Sequence, residues 1–480
     1  MAIIFTYLLF NIIFNNHNYL INIKALSLVL FSAFYLIIVY LINKALNKYI
    51  KNSKKYIIIS TIIFIILQLI FAYIFAVIPE WDFGAIYYGA IQNITGKIPF
   101  HKYNYLYIYQ NNIGYGLLLS LIFYPIKLIG LNNYMAYGIV GIILNIICID
   151  VSLLTLLKII RQYFEKTQQN IFWLLALLYT PFITYVPIFY TDTLSLPFIV
   201  GGVYFILKII NNEKNLLNIA ISGLLLGIAD TLKPTAIIII IAFIIFYSIF
   251  TNEHIIKRLT TISIILVAFA LPLISLNIYK QIYFDQQKIE EKSFPITHWL
   301  MMGLKGNGGY NQEDVDYTSS FIGKENKKQA NIKIINKRIK ELVKEKKIIS
   351  FYTNKALYVW GDGTYYAPAK LSVNPIKDLE IKDYILPTGK NKIFILIAQC
   401  QLVLTILFII LGIILRKYLS KQQQKLQLFL NISIFGIFLF ELIWEARSRY
   451  LVNMIPILLL SCYLGVTATI KFIQSKKVEE

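Results

Sequence analysis

Charge is scarce in this chain. Only 15% of its 480 residues are Asp, Glu, Lys or Arg, against 58% hydrophobic residues. With a mean hydropathy of +0.64, that balance excludes an ordinary soluble domain. Cysteine is rarer still. Cys148, Cys400 and Cys462 each sit inside an apolar run, without the pairing of a disulfide framework or the spacing of a metal site. Only four histidines occur, and nowhere do His, Asp and Glu recur at metal-ligand spacing on one helix face. A Ser-based nucleophile elbow is missing. The glycines at Gly303, Gly306, Gly308 and Gly309 are too irregular for a nucleotide-binding loop, and no strand precedes them. No N-terminal signal with a small-residue cleavage site is evident, so the first hydrophobic runs are expected to remain as anchors.

What is present are apolar runs of about 20 residues, such as Ala25 to Asn43, Ile57 to Ile78 and Leu259 to Ile278. Each is long enough to cross a hydrocarbon core of roughly 30 Å, and in lipid such runs must be helices because the backbone finds no water there. The formal net charge of +21 does not point to nucleic acid, because Lys and Arg cluster between the runs instead of forming a soluble basic face. The clusters are Lys44 to Lys55, then Lys158, Arg161 and Lys166, then Lys257 and Arg258, then Arg416 to Lys425, and the tail. Placing them all in the cytoplasm predicts spans at 25–43, 56–78, 134–157, 171–189, 192–210, 215–231, 235–250, 259–279, 392–415, 426–444 and 449–470. Residues 2–14 would add a twelfth. Residues 113–130, interrupted by Pro125 and Lys127, read as a re-entrant or surface-lying helix. The expected fold is an all-α polytopic membrane protein of about 11–13 transmembrane helices in a cell membrane, with a mixed extracytoplasmic loop domain.

On this topology residues 79–133, 189–192, 231–235, 280–391 and 444–449 share the outer side, and every polar motif lies there. Glu80 and Asp82 sit among Trp81, Phe83, Tyr87 and Tyr88. The aromatics suit an interfacial belt, while a carboxylate at the edge of lipid can be a general base. Asp192, in Tyr190-Thr191-Asp192-Thr193, is a helix N-cap or a second site acid. Lys233, before Pro234, is a snorkelling lysine or an anion-binding cation. Glu441, Glu445, Arg447 and Arg449 flank the last span. The arginine forks suit phosphate oxygens, and Glu–Arg ion pairing is the competing reading. His298 is a ligand, a base or a structural histidine, and Asp150 is a membrane acid that would pair with Lys158 or mark an ion path. Asn331 to Tyr352 has helical apolar spacing with a Lys-rich opposite face, as in an amphipathic helix at the headgroups.

An acid in the first large outer loop, an amphipathic or re-entrant stretch after it, an acid between the next outer-facing span pair and a long late outer loop together resemble the GT-C superfamily. These are membrane glycosyltransferases that use polyprenyl-phosphate sugars, including protein O-mannosyltransferase and aminoarabinose transferase relatives. Trp299 to Tyr310, Trp360-Gly361-Asp362-Gly363-Thr364-Tyr365 and Glu445 to Tyr450 are also similar to a bacterial family of uncharacterised integral membrane proteins. The resemblance implies extra N-terminal helices at 1–54 and a seven-helix GT-C-like module at 55–279 with its first outer loop at 79–133. It further implies an extracytoplasmic loop domain at 280–391 and C-terminal helices at 392–480. By the same resemblance Asp82 matches the catalytic acid and Asp192 a second acid of the same cavity. The chain departs from the common pattern in lacking a second acid next to Asp82 and in carrying two extra hydrophobic segments before the module.

The expectation is an inverting transfer with Asp82 as base, and with Glu80, Lys233, His298, Glu445, Arg447 and Arg449 binding substrate. The donor would be a polyprenyl-phosphate-linked sugar, and the acceptor an extracytoplasmic glycan, lipid or protein. A divalent metal is left open, and membrane lipids but no nucleic acid are the expected surroundings. A polysaccharide polymerase and a lipid-linked oligosaccharide flippase or transporter are the alternatives.

Overall fold

A computed structural model describes residues 1–15, 23–49, 53–213 and 215–479. Among the described residues eight helices are long and apolar enough to cross a membrane: Ala25–Ala45, Ser53–Phe75, Tyr134–Tyr163, Thr191–Ile210, Ile255–Tyr283, Lys392–Ile414, Lys421–Ile443 and Ser448–Lys476. Three shorter apolar helices, Ala2–Phe14, Leu216–Leu232 and Pro234–Phe250, accompany them. The protein is an all-α polytopic membrane protein. Among the described residues its one strand-like feature is an isolated antiparallel bridge between Val77 and Pro375. The mixture in residues 280–391 is therefore one of helices and irregular chain.

Close approach of helices follows from small residues. Gly223 and Gly227 sit one turn apart on Leu216–Leu232, and a Cβ on either would lie 2.4 or 2.3 Å from the carbonyl oxygens of Ile265 and Phe269. Only glycine allows those two helices to touch backbone to backbone.

Three expectations are corrected. The span expected at 171–189 is broken into Lys166–Leu177 and Pro181–Thr184, with Pro181 and Pro187 preventing one continuous helix. The carbonyls so released are met by neighbouring side chains, as buried backbone requires. Gln401 donates to Leu178 O (2.7 Å), Gln68 to Phe182 O (3.2 Å), Asn145 to Tyr185 O and Val186 O (2.9 and 3.0 Å), and Tyr115 to Phe189 O (2.6 Å). Second, Pro125 does not interrupt its segment: the helix Ile113–Leu128 runs through it, and Lys127 donates to Ile94 O at the end of a neighbouring helix. Third, the helix expected over Asn331 to Tyr352 is two, Lys324–Lys344 and Ile348–Trp360, parted at Lys346 with φ 55°.

The bundle has two chemically different ends. At one, connections next to basic residues meet: Ser53 bonds Asn170, Asn211 bonds Tyr163, and Gln423 bonds Tyr163 O. At the other, residues 280–391 pack across 76–112, 179–190 and 444–454. The contacts there include Asn374 to Glu80, Tyr365 to Tyr179 and Lys355 to Trp444 O.

Candidate functional site

The first acid is placed by a strained turn. Residues 76–80 are clamped to the loop domain by Ile78 N to Asn374 O (2.9 Å) and Ile376 N to Ala76 O (3.0 Å). Asn374 also donates to the Glu80 carboxylate at 2.6 Å. Trp81 then adopts φ 48°, a left-handed conformation costly for an aromatic residue and held here by its surroundings. The turn starts the helix Trp81–Ile94 and puts Asp82 in its first turn, half-buried. Tyr105 donates to Asp82 Oδ1 at 2.7 Å, and Asn112 in turn donates to the Tyr105 hydroxyl at 2.8 Å.

The second acid owes its depth to the broken helix, which ends in extended chain at Tyr190 and restarts at Thr191. The N-cap of the restarted helix is Tyr190, and Asp192 caps nothing. Asp192 is instead buried, with Lys233 donating to its Oδ1 and Arg449 Nε lying 3.6 Å from its Oδ2. Lys233 closes Leu216–Leu232, where Pro234 forces the preceding residue out of the helical region. Its ammonium does not snorkel. It is buried against Asp192, 5.1 Å from the centre of the Tyr450 ring.

After Lys421–Ile443 ends, the chain runs extended through Glu445 to Arg447 and enters the tight helix Ser448–Met454. Arg449 is enclosed by aromatic rings, its guanidinium carbon 5.0 Å from Trp81, 5.2 Å from Tyr190 and 5.3 Å from Tyr450. Rings receive its charge, but its Nε and Nη1 have no hydrogen-bond acceptor among the described residues. Arg447 lies over Tyr366 at 4.2 Å, and Glu445, whose carboxyl burial raises, accepts from Tyr450 at 2.8 Å. Glu441 is fully buried nearby with both oxygens unbonded, in electrostatic reach of Lys233 and Lys355.

The loop domain supplies groups to which sequence reading gives no role in the site, although Trp360 to Tyr365 carries part of the resemblance. In the stretch Trp360 to Tyr366, Asp362 accepts from Thr364 N and Oγ1 (2.9 and 2.6 Å), Tyr366 N (2.9 Å) and Ser448 Oγ (2.8 Å). Those bonds hold Tyr365 and Tyr366 in left-handed conformations, φ 52° and 66°, and tie the turn to the residue between the two arginines. Gly363 is obligatory there, because a Cβ would lie 2.3 Å from Ala398 O. One turn on, Lys370 sets its ammonium 3.6 Å above Trp81. Burial, with Arg449 and Arg447 close by, pushes Lys370 down to about 7, against the opposing pull of Asp82 and Asp192. Lys355, pushed down to about 8 by burial, donates to Gly303 O (2.6 Å) and Trp444 O (2.7 Å), so it pins the strap that carries Glu445 and the arginines.

The chain matches, over residues 1–470, the family described as conserved hypothetical integral membrane protein. It belongs to that family. No curated protein and no solved structure matches it significantly.

In this family member, then, Asp82, Asp192, Lys233, Glu445, Arg447 and Arg449 are drawn into one cluster around Trp81, Tyr190 and Tyr450. Glu80 stands at its edge, engaged by Asn374. His298 is not part of it. It is buried inside the loop domain, 2.8 Å from Thr318 Oγ1, and burial pushes it down to about 4, so it is neutral there. The missed groups had faint signals: Tyr105 lies in the alternating run Tyr103, Tyr105, Tyr107, Tyr109, and Lys370 follows the quoted Tyr365 by five positions. Among the described residues no three His, Cys, Asp or Glu side chains gather as a metal-ligand set.

Proposed function

We propose that the protein is a membrane glycosyltransferase that moves a sugar from a polyprenyl-phosphate donor to an extracytoplasmic glycan, lipid or protein. One observation carries the reading: a half-buried carboxylate, Asp82, shares a site with a caged arginine, Arg449, which ion-pairs loosely with Asp192 and whose Nε and Nη1 make no hydrogen bond among the described residues. A base and an anion-binding group so placed are what transfer from a phosphate-linked sugar needs. What supports an outward-facing site is the placing of the short basic connections, such as those at Lys158 to Lys166 and Arg416 to Lys425, away from it, since Lys and Arg in short loops favour the cytoplasm.

In the step itself, the acceptor hydroxyl oxygen attacks the anomeric carbon from the face opposite the phosphate, and its proton passes to Asp82. The bond between that carbon and the phosphate oxygen breaks, leaving its electron pair on the phosphate. Arg447, Arg449 and Lys370 would stabilise the added negative charge, strongly because the surroundings are largely apolar. A single displacement inverts the configuration. Asp192 has a different part in this scheme. Engaged by Lys233 and close to Arg449, it positions the cations and takes no proton.

The flippase reading has its own observation: Asp150 is buried beside Gln68, which also bonds Phe182 O of the broken helix, and its Oδ2 makes no hydrogen bond among the described residues. Purified protein in vesicles, given a labelled single-sugar polyprenyl phosphate, an oligosaccharide polyprenyl diphosphate and a panel of acceptors, separates the readings. Turnover of the first supports transfer, and turnover of only the second means a polymerase. Translocation of the intact lipid without bond cleavage means a flippase. Comparing surface glycans of cells with and without the protein names the acceptor.

A further inference from the structure

The helix Lys324–Lys344 carries two exposed lines of side chains that no part of the chemistry above uses. Its inward face is fixed. Arg338 makes a two-pronged pair with Asp314 (2.8 and 2.6 Å), and Asn331 accepts from Thr318 at 3.1 Å, so the helix cannot roll. With that face held, Ile332, Ile339 and Val343, spaced by seven and four residues, form one outward line. They are 37, 43 and 55% exposed. Lys333, Lys337, Lys340 and Lys344 form a second line about 100° around the helix, also outward.

Apolar exposure does not end with the helix. Past the break at Lys346, Ile349 is 79% exposed, one turn before Thr353, whose hydroxyl lies 3.3 Å from the Tyr7 hydroxyl. Tyr7 belongs to Ala2–Phe14, which packs Phe5 on Trp360 and turns Ile3, Phe10 and Phe14 outward at 85, 54 and 60% exposure. In an integral membrane protein such an apolar face has lipid as its solvent. The isoleucines of the loop domain thus extend a lipid-facing surface, and lysines border them on one side.

We propose that the helix Lys324–Lys344 and Ile349 dock on the bilayer surface, the isoleucines entering the headgroup boundary and the lysine row binding anionic lipid headgroups. An apolar stripe flanked by lysines is how an in-plane helix meets an anionic interface. A binding surface for a soluble partner would not need to continue into the lipid-facing side of Ala2–Phe14. Docking would hold the loop domain, and with it Lys370, Tyr366 and the Lys355 strap, at the level where a lipid-linked substrate presents its headgroup.

The test uses the full chain in vesicles, with an environment-sensitive fluorophore on Ile339→Cys or on Glu341→Cys, which is exposed on another side of the same helix. The unsubstituted protein, with Cys148 and Cys400 buried and Cys462 half-buried, is the labelling blank. In phosphatidylcholine containing phosphatidylglycerol, the label at 339 should shift to the blue and resist an aqueous quencher, while the label at 341 stays quenchable. In phosphatidylcholine alone the protection at 339 should fall. Replacing Lys337, Lys340 and Lys344 by Gln should cut the seated-to-free ratio about fivefold per lysine removed. Equal quenching at 339 and 341 in both vesicles would overturn the docking. Protection that ignores lipid charge, or that arises only on adding a soluble anionic polysaccharide, would overturn the assignment to anionic lipid.

Discussion

Two acids that look alike in the sequence live in opposite surroundings. Asp82 stands at the rim of the site, half-buried, its Oδ1 accepting one bond from a tyrosine. Asp192 lies on the floor, 1% exposed, bonded by Lys233 and with Arg449 Nε at 3.6 Å from its Oδ2. The contrast separates chemistry from architecture. A carboxylate with a partly open flank and one neutral donor can accept a proton, whereas one neutralised by two buried cations is committed to keeping them in place.

The largest effect that would sharpen this contrast is on turnover. Asp82→Asn should lower sugar transfer by roughly 10²- to 10⁴-fold, with the variant inserted normally and its melting temperature little changed. Transfer at the parental rate would remove Asp82 from the role of base. Asp192→Asn should do the reverse in kind. Leaving Lys233 and Arg449 buried without their counter-charge should cost about 3–5 kcal/mol of stability, read as a drop in the thermal unfolding midpoint in detergent. A midpoint within error of the parent would break the distinction between rim and floor.

Two smaller effects refine the rim. Tyr105→Phe removes the hydroxyl that donates to Asp82 and should cost about 0.5–1.5 kcal/mol in whichever quantity the bond supports. A loss confined to turnover, with stability kept, would mark the bond as one that orients the base. Lys370 gives the pH dependence. Because burial and the nearby arginines push its ammonium down to about 7, it is charged below that pH and neutral above it, so the proposed phosphate contact would be made only below it. Donor KM should therefore rise as pH climbs through about 7. Lys370→Arg, which stays charged throughout, should flatten that rise. A KM profile unchanged by Lys370→Arg would place the lysine outside the donor site.

Much of the fold was legible because lipid leaves a chain few options. Runs such as 134–157 and 392–415 read directly as helices. The segment 171–189 misled for a physical reason. Its hydropathy is that of a span, but whether Pro181 and Pro187 kink a helix or break it depends on who receives the freed carbonyls. Those receivers are Gln68, Asn145 and Gln401, far away in sequence. Of the site, the charged residues at the ends of apolar runs stood out singly because charge is rare here. Lys370 did not, since nothing near it in sequence announces Trp81 below its ammonium. His298 stood out for its rarity, and its Thr318 partner and burial keep it within the loop domain.

By itself the sequence determined that this chain is a multi-helix membrane protein and which polar residues could share a face. Hydropathy and charge placement are one-dimensional properties, and a bilayer reads them directly. Only the tertiary structure decided which acid is open and which is paired, that a helix must break to seat Asp192, and that Lys370 belongs beside the arginines. Those outcomes depend on burial and on partners distant in the chain, and no local pattern encodes the dielectric around a charge or the ring beneath it.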